Sequence, residues 1–347
     1  MAVRILSYRN KRRAKLFLAV LAAVLAVILL FCLCRFIYLQ RFLVYSSGSV
    51  QLDYDQNLIS DPTAQQSPWD PGTVQIVTEE ASVQASSTGD APMKQLSGYY
   101  ITTDMLQDMD KVTAALAEAG EVKTVMLDLK SDFGNFYYSS GIYGAVTTTY
   151  ADVAAVDALI EDLAGRDNVY LIARVASLTD NNFALENQSC GLPLASGALW
   201  MSGGCYWLDP MATSVQEYLV SIAQELAAMG FDEIVFDEFW IPDSTNIVYN
   251  SELTREEAAA EAAKTIRSLL TTDPIRVSFN SSNPKVAEVS DRVYLVTEDG
   301  SAVAGLVEEV QEPLEDPAAQ IVFLTASRDT RFNGYGLLRP LIEARSE

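Results

Sequence analysis

The stretch FDEIVFDEFWIP, residues 231–242, decides the fold. Its apolar run Ile234–Phe236 predicts a short buried strand. The run stops at two acids, Asp237 and Glu238, and two large aromatic residues and a proline follow them closely. What these acids can do depends on the kind of sheet to which the strand belongs.

The same pattern of apolar strand and amphipathic helix continues along the chain. Strands rich in Val, Ile and Leu that alternate with helices predict parallel βα units. Eight strands in about 250 residues favour a (β/α)8 TIM-type barrel, an α/β fold, over an open doubly wound sheet. A short segment separates the last two strands, so the sequence leaves open whether the barrel is complete at its C-terminal end. Besides the opening stretch, strands are expected at residues 98–102, 124–130, 169–176, 275–280, 292–299, 321–327 and 334–340.

The N-terminal part predicts a membrane anchor. Leu16–Cys34 carries no charge, and at 1.5 Å per residue it crosses a hydrocarbon core of about 30 Å. Its length and the bulky residues after it favour a retained anchor over a cleaved secretory signal. The sequence therefore divides into a basic cytoplasmic tail (1–15), a transmembrane helix (16–38), a flexible stem (39–96) and the barrel (97–347).

Charge predicts both the orientation and the partners. Six basic residues precede the apolar run, and an excess of positive charge marks the cytoplasmic side. We therefore expect a single-pass protein of the cell membrane with the barrel outside. The net charge is −22 although the N-terminal tail is basic, so the rest is strongly acidic and nucleic acid is not expected as a partner.

The chain contains no histidine. This excludes Ser-His-Asp triads, Cys-His pairs, His-based zinc sites and imidazole acid–base catalysis. The remaining groups for chemistry are carboxylates, Lys, Tyr and Arg, or a hard metal held by oxygen. No cofactor and no metal is expected.

Polar residues follow the predicted strands, where the active sites of such barrels lie. Alternation places Asp237 inside the barrel mouth and Glu238 on the opposite side. Arg174, at the end of the neighbouring strand, is the expected ion partner of Asp237. The other candidates at strand ends are Asp128, Lys130, Asp132, Asn280, Glu298 and Asp299.

Four blocks resemble one family in their order and spacing: VMLDLKSDFGNFYY (125–138), YLIARVASLTD (170–180), GGCYWLDP (203–210) and residues 215–242. They are similar to DUF4015, a family of proposed glycoside hydrolases whose members look like α-amylase-superfamily TIM barrels. The resemblance implies that the strand-end acids of the family fall on Asp128 and Asp237. It also assigns Arg174, Trp207 and Asp209 to the site. After the fourth strand the family usually has Tyr and Arg, where this chain has Glu238 and Trp240.

Residues and resemblance together predict a membrane-anchored glycoside hydrolase that acts on an envelope or extracellular polysaccharide. Glycoside hydrolysis needs two carboxylates. Asp237 is the expected nucleophile, and Glu298 is the expected acid because apolar residues precede it. Asp128 completes the catalytic set. The expected substrate-binding residues are Arg174, Lys130, Trp207, Asp209, Glu238 and Trp240.

Two other functions stay open. One is a non-catalytic carbohydrate-binding or scaffold barrel that has lost catalytic residues. The other is a hydrolase that holds Mg²⁺ or Ca²⁺ with Asp128, Asp132 and Asp237.

Cys190 and Cys205 can form a disulfide in an extracytoplasmic domain. Two reduced, buried thiols are the alternative.

Overall fold

The computed structural model describes residues 43–46, 49–52, 94–249 and 251–342. The chain divides into two compact units, Met1–Val83 and Gln84–Glu347. In the first unit, Leu43–Ser46 and Ser49–Leu52 pair as an antiparallel hairpin within the predicted stem. The predicted cytoplasmic tail and transmembrane helix lie outside the described residues. Within the described ranges, no helix has the length and apolar character needed to span a bilayer.

The second unit is a closed barrel of eight parallel strands. Each strand pairs with the next, and β8 pairs with β1 through Leu337 and Ser97, so the barrel is complete at its C-terminal end. The eight strands are β1 (Ser97–Ile101), β2 (Thr124–Lys130), β3 (Tyr170–Ala176), β4 (Glu233–Asp237), β5 (Arg276–Asn280), β6 (Val293–Val296), β7 (Ile321–Leu324) and β8 (Gly336–Pro340).

Helices of unequal length connect the strands. The longest is α4 (Thr213–Ala228), which packs on the barrel through eight buried residues and leads into β4. Between β7 and β8 a short 3₁₀ turn, Thr330–Gly334, replaces a helix, which explains the short segment seen in the sequence. The other helices are α1 (Met109–Ala119), α2 (Val153–Ala164), α3 (Asn181–Glu186), α5 (Arg255–Leu269), α6 (Pro284–Ala287), α7 (Val303–Val310) and α8 (Pro317–Gln320).

Capping explains where the helices begin. Asp108 caps the first helix by accepting a hydrogen bond from the Lys111 backbone NH. Helix α5 begins with a capping box between Thr254 and Glu257. These side chains satisfy backbone NH groups that lack a partner in the first turn.

Gly98 allows β1 and β2 to approach closely. A Cβ atom there would collide with the carbonyl oxygen of Thr124. The strand contact that closes the barrel at this point therefore requires a residue without a side chain.

Strand β4 shows the layers of the barrel interior, because every second residue points inward. Val235 belongs to the apolar middle layer with Met126, Ile172 and Tyr294, among others. Asp237 faces the carboxyl ends of the strands. Glu233, at the opposite end, lies in a polar layer that we call the floor.

Glu233 is completely buried in the floor, and four donors satisfy its carboxylate. The hydroxyls of Tyr170, Ser278 and Tyr294 donate to it at 2.8, 2.6 and 2.9 Å. Arg292 makes an ion pair with it at 2.5 Å. A buried carboxylate is tolerated only with such partners, so the network closes this end of the barrel.

Candidate active site

Three charged residues meet at the carboxyl ends of β2, β3 and β4, which we call the mouth. Arg174 NH2 lies 2.5 Å from Asp237 Oδ2, and Arg174 NH1 lies 3.1 Å from Asp128 Oδ2. The predicted ion pair between Arg174 and Asp237 is therefore present, and Asp128 shares the same guanidinium. The register explains the sharing, because Asp128 lies directly opposite Arg174 on the neighbouring strand.

Asp237 has further partners. The Asn280 side-chain amide donates to its Oδ1 atom, and the Ser177 hydroxyl donates to its backbone carbonyl. Asn280 ends β5, so residues from four consecutive strands fix this site. Asp237 is only 8% exposed, and its two carboxylate oxygens are held in one orientation.

Asp128 lies in a different electrostatic environment. The pKa of its carboxyl is raised to about 6 by burial and by the charge of Asp237, while Arg174 acts in the opposite direction. Two neighbouring nitrogens of one guanidinium hold both acids at 3.1 and 2.5 Å. The bonded oxygens are therefore at most about 8 Å apart, a limit that includes the separation of about 5–5.5 Å found in retaining glycosidases.

A cleft of about 490 Å³ opens beside these acids, and we call it the Asp132 cleft. Asp132 follows β2, and burial and then the charge of Asp237 raise its pKa. The cleft also has an aromatic side, formed by Phe133, Tyr137 and Tyr150. The site prediction did not include these rings, although two of them lie in the block VMLDLKSDFGNFYY.

Glu238 does not follow the predicted alternation. Its φ angle is +55°, the only positive φ of a non-glycine residue in the described part of the chain. Left-handed backbone is unfavourable for such a residue and is found most often at functional sites. This turn keeps Glu238 within electrostatic reach of the mouth. Burial, then the charges of Asp237 and Asp132, raise its pKa to about 7.

Glu298 lies beyond the end of β6 and is exposed. Its carboxylate accepts hydrogen bonds from the Thr325 hydroxyl at 2.9 Å and the Ala326 backbone NH at 3.0 Å. Burial raises the pKa of Tyr100, and the charges of Glu298 and Asp128 raise it further. Glu298 is therefore close enough to Tyr100 to act on its charge, but the burial that was expected for Glu298 is absent.

The ammonium of Lys130 is directed into the protein. The register shifts between Asp128 and Lys130, and such an irregularity redirects a side chain. Its Nζ atom is 2.9 Å from Asp180 Oδ2, with both side chains fully buried, and it donates to the Ala176 carbonyl at 2.7 Å. These contacts join β2 to the segment after β3.

Three tryptophans form one cluster at the edge of the mouth. Trp207 lies between Trp200 and Trp240, with ring centroids 6.0 and 5.7 Å apart. Trp207 is buried and Trp240 is 38% exposed. Asp209, near this cluster, accepts a hydrogen bond from the Met211 backbone NH at 2.9 Å, so it shapes the turn before α4.

Cys190 and Cys205 are free and buried, so the predicted disulfide is wrong. The Cys190 sulfur contacts the Ser214 hydroxyl at 3.0 Å. Cys205 lies in a small hairpin with Met201–Ser202. The two thiols thus have different neighbours.

The metal-hydrolase alternative lacks a ligand set. Across residues 94–249 and 251–342, no group of three or more acids or cysteines has a geometry suited to hold a metal ion. Instead, the carboxylates of Asp128 and Asp237 both form ion pairs with Arg174.

The closed parallel barrel places this chain in the (β/α)8 class. Many glycoside hydrolases have this fold and carry a pair of acids at the mouth of the barrel. Residues 98–299 match the DUF4015 family, described as "Putative glycosyl hydrolase domain", and the chain belongs to this family. No curated protein has significant sequence similarity to the chain.

Several solved structures are similar to this chain. The α-galactosidase from Lactobacillus brevis is 10% identical with a TM-score of 0.50, and the match covers 73% of this chain and 39% of that protein. This chain thus spans less than half of that enzyme. Ega3 from Aspergillus fumigatus, in complex with galactosamine, is 10% identical with a TM-score of 0.45 and coverages of 72% and 93%. A hypothetical protein from Ruminiclostridium thermocellum is 23% identical with a TM-score of 0.46 and coverages of 52% and 96%.

Proposed function

We propose that this barrel hydrolyses glycosidic bonds in a polysaccharide at its mouth. The observation that carries the proposal is the pair of carboxylates that share Arg174 but differ in environment. Asp237 accepts hydrogen bonds from Arg174 and Asn280, which fix the orientation that a nucleophile or a base needs. Asp128 has a side chain that is 14% exposed and a raised pKa. Carboxylates in unlike environments are the usual basis of acid and base roles in such enzymes.

Two acids can supply the proton to the leaving group. Glu298 follows the end of β6 and is exposed, so a substrate bound at the mouth can reach it. Glu238 has a pKa of about 7 before any substrate binds, near the value that suits a general acid at neutral pH. We propose Glu298 as the donor, and the raised pKa makes Glu238 the second candidate.

The charge of the mouth limits the substrate class. Arg174 is shared by two acids and Lys130 is neutralised by Asp180. Asp132 and Glu238 have no ion pair with a described basic residue. This excess of negative charge disfavours anionic polysaccharides, so the proposed substrate is a neutral or amino-sugar polymer.

A survey of polysaccharides tests the proposal. We expect the full-length chain, purified in mild detergent, to release reducing ends from at least one neutral or amino-sugar polymer and from no uronic-acid polymer. Binding of a glycan without release of reducing ends would support the carbohydrate-binding alternative. Hydrolysis of uronic-acid polymers alone would contradict the charge argument.

We also propose that the barrel faces outward on a single N-terminal membrane anchor. The uncharged run Leu16–Cys34, with six basic residues before it, supports this orientation. Protease added to intact cells is expected to release a fragment that begins between residues 46 and 96. Full protection of the barrel from the protease would contradict the topology.

A further inference from the structure

A second cleft, of about 540 Å³, opens on the mouth face, and we call it the Trp240 cleft. Trp240 and Ile241, from the segment after β4, form its apolar side. Ser281, Ser282 and Asn283, from the segment after β5, form a polar side. It shares no lining residue with the Asp132 cleft.

The apolar side presents a fixed aromatic ring. Trp240 is 38% exposed, and its ring contacts the buried Trp207. This contact holds the indole, so little side-chain freedom remains to be lost on binding. An exposed aromatic face beside hydroxyl and amide groups suits a pyranose, because the C–H face of the sugar can stack on the ring while its hydroxyls form hydrogen bonds.

The walls of the cleft are also held by internal hydrogen bonds. Asn283 Nδ2 donates to the Glu256 carbonyl at 2.9 Å. Arg255 donates to the carbonyls of Pro242 and Ser244 at 2.8 and 2.7 Å. These bonds tie the segments after β4 and β5 to helix α5, and the cleft is therefore formed before any ligand enters.

Both clefts lie close to Asp237. Trp240 follows Asp237 by three residues, so their Cα atoms are at most about 11 Å apart. Asp237 itself lines the Asp132 cleft, together with residues in or after β1, β2 and β3. A chain of sugars that fills both clefts would lie across Asp237.

We propose that the Trp240 cleft is an outer subsite for a linear polysaccharide that crosses the mouth. This inference rests on the proposed function for the identity of the ligand, a glycan bound at the mouth. Trp240 stacks on a sugar unit outside the two units joined by the bond at Asp237, and it therefore matters for long chains and not for short ones.

Affinity electrophoresis of the full-length chain tests the subsite. The polymer probes are laminarin, lichenan, linear galactan, amylose and chitosan. The di- and trisaccharides of each polymer are added as competitors. We compare wild type with Trp240→Ala, with Trp240→Phe, and with the control Tyr143→Ala, which removes a ring that is 100% exposed elsewhere.

Trp240→Ala is expected to bind about tenfold more weakly to the polymer that retards the wild type. This loss is close to the binding free energy that one stacked ring contributes. Competition by di- and trisaccharides stays unchanged, Trp240→Phe restores most of the affinity, and Tyr143→Ala has no effect. Three results would overturn the inference. Trp240→Ala could lose affinity equally for long and short chains, it could lose no affinity, or no polymer could retard the wild type.

The two proposals fail in different ways. If polymers bind in a Trp240-dependent manner but no reducing ends appear, hydrolysis is refuted and the subsite stands. If reducing ends appear and Trp240→Ala releases them from long chains as fast as wild type, the subsite is refuted and hydrolysis stands.

Discussion

Asp237→Asn is expected to lower the rate of glycan hydrolysis by about 10³-fold or more, because an amide cannot act as nucleophile or base. The fold should tolerate the change. The asparagine side chain keeps an oxygen that can accept from Arg174, and Arg174 keeps Asp128 as an ion partner. We expect a loss of about 1 kcal/mol in the free energy of unfolding, seen as a fall of a few degrees in melting temperature.

Asp162→Asn is the matched control. It also breaks an Asp–Arg ion pair, with Arg166, but on the surface, where the Asp162 side chain is 57% exposed. Its activity and melting temperature should equal those of wild type, since surface pairs contribute little. Unfolding of the Asp237→Asn barrel would show that Asp237 is structural. Retained hydrolysis in a folded variant would remove Asp237 from the mechanism.

Arg174→Met is expected to have the largest effect on stability, because it leaves two acids at the mouth without their shared cation. Loss of one partner from a buried ion network costs about 3–5 kcal/mol, which corresponds to a fall of roughly 10 °C in melting temperature. Hydrolysis should also be lost, since the orientation of Asp237 depends on Arg174.

The effect of Arg174→Met should depend on pH. In wild type the pKa of Asp128 is about 6, above its ordinary value of 3.8. A raised carboxyl pKa favours the folded state fully below pH 3.8, and this contribution disappears as the pH rises through about 6. Without Arg174, which lowers the pKa of Asp128, the ionised acids are penalised more strongly at neutral pH.

Denaturant unfolding at about pH 5 and about pH 7.5 measures this dependence. The stability difference between wild type and Arg174→Met should be larger at the higher pH. Arg166→Met, which breaks a surface pair, is the control and should show a small difference at both values. An equal difference for Arg174→Met at the two pH values would refute the electrostatic account.

The fold was predictable because the strands are apolar runs of regular spacing. The predicted range 124–130 coincides with β2, and 169–176 contains β3. Closure of the barrel was left open, because the turn Thr330–Gly334 stands where a helix was expected. Pairing of β8 with β1 joins residues far apart in sequence, which no local pattern reveals.

The site was predictable where strand alternation holds. Alternation placed Asp237 inward and next to Arg174, and the ion pair is present. It failed at Glu238, whose backbone is left-handed and whose carboxyl is within electrostatic reach of Asp237 and Asp132. It also failed at Lys130, where the register shifts and the ammonium pairs with Asp180. Glu298 was also expected to be buried, but it is exposed. The VYLV run that precedes it forms part of the barrel wall and does not shield the end of the strand.

The polar floor makes the barrel blind-ended. Glu233 and Tyr294 are completely buried, and Arg292 nearly so, so nothing passes along the barrel axis. Water and both halves of a cleaved polymer must therefore enter and leave through the same face. A polysaccharide can slide across this face but cannot thread through it, and cleavage at Asp237 would release two fragments sideways, one from each cleft.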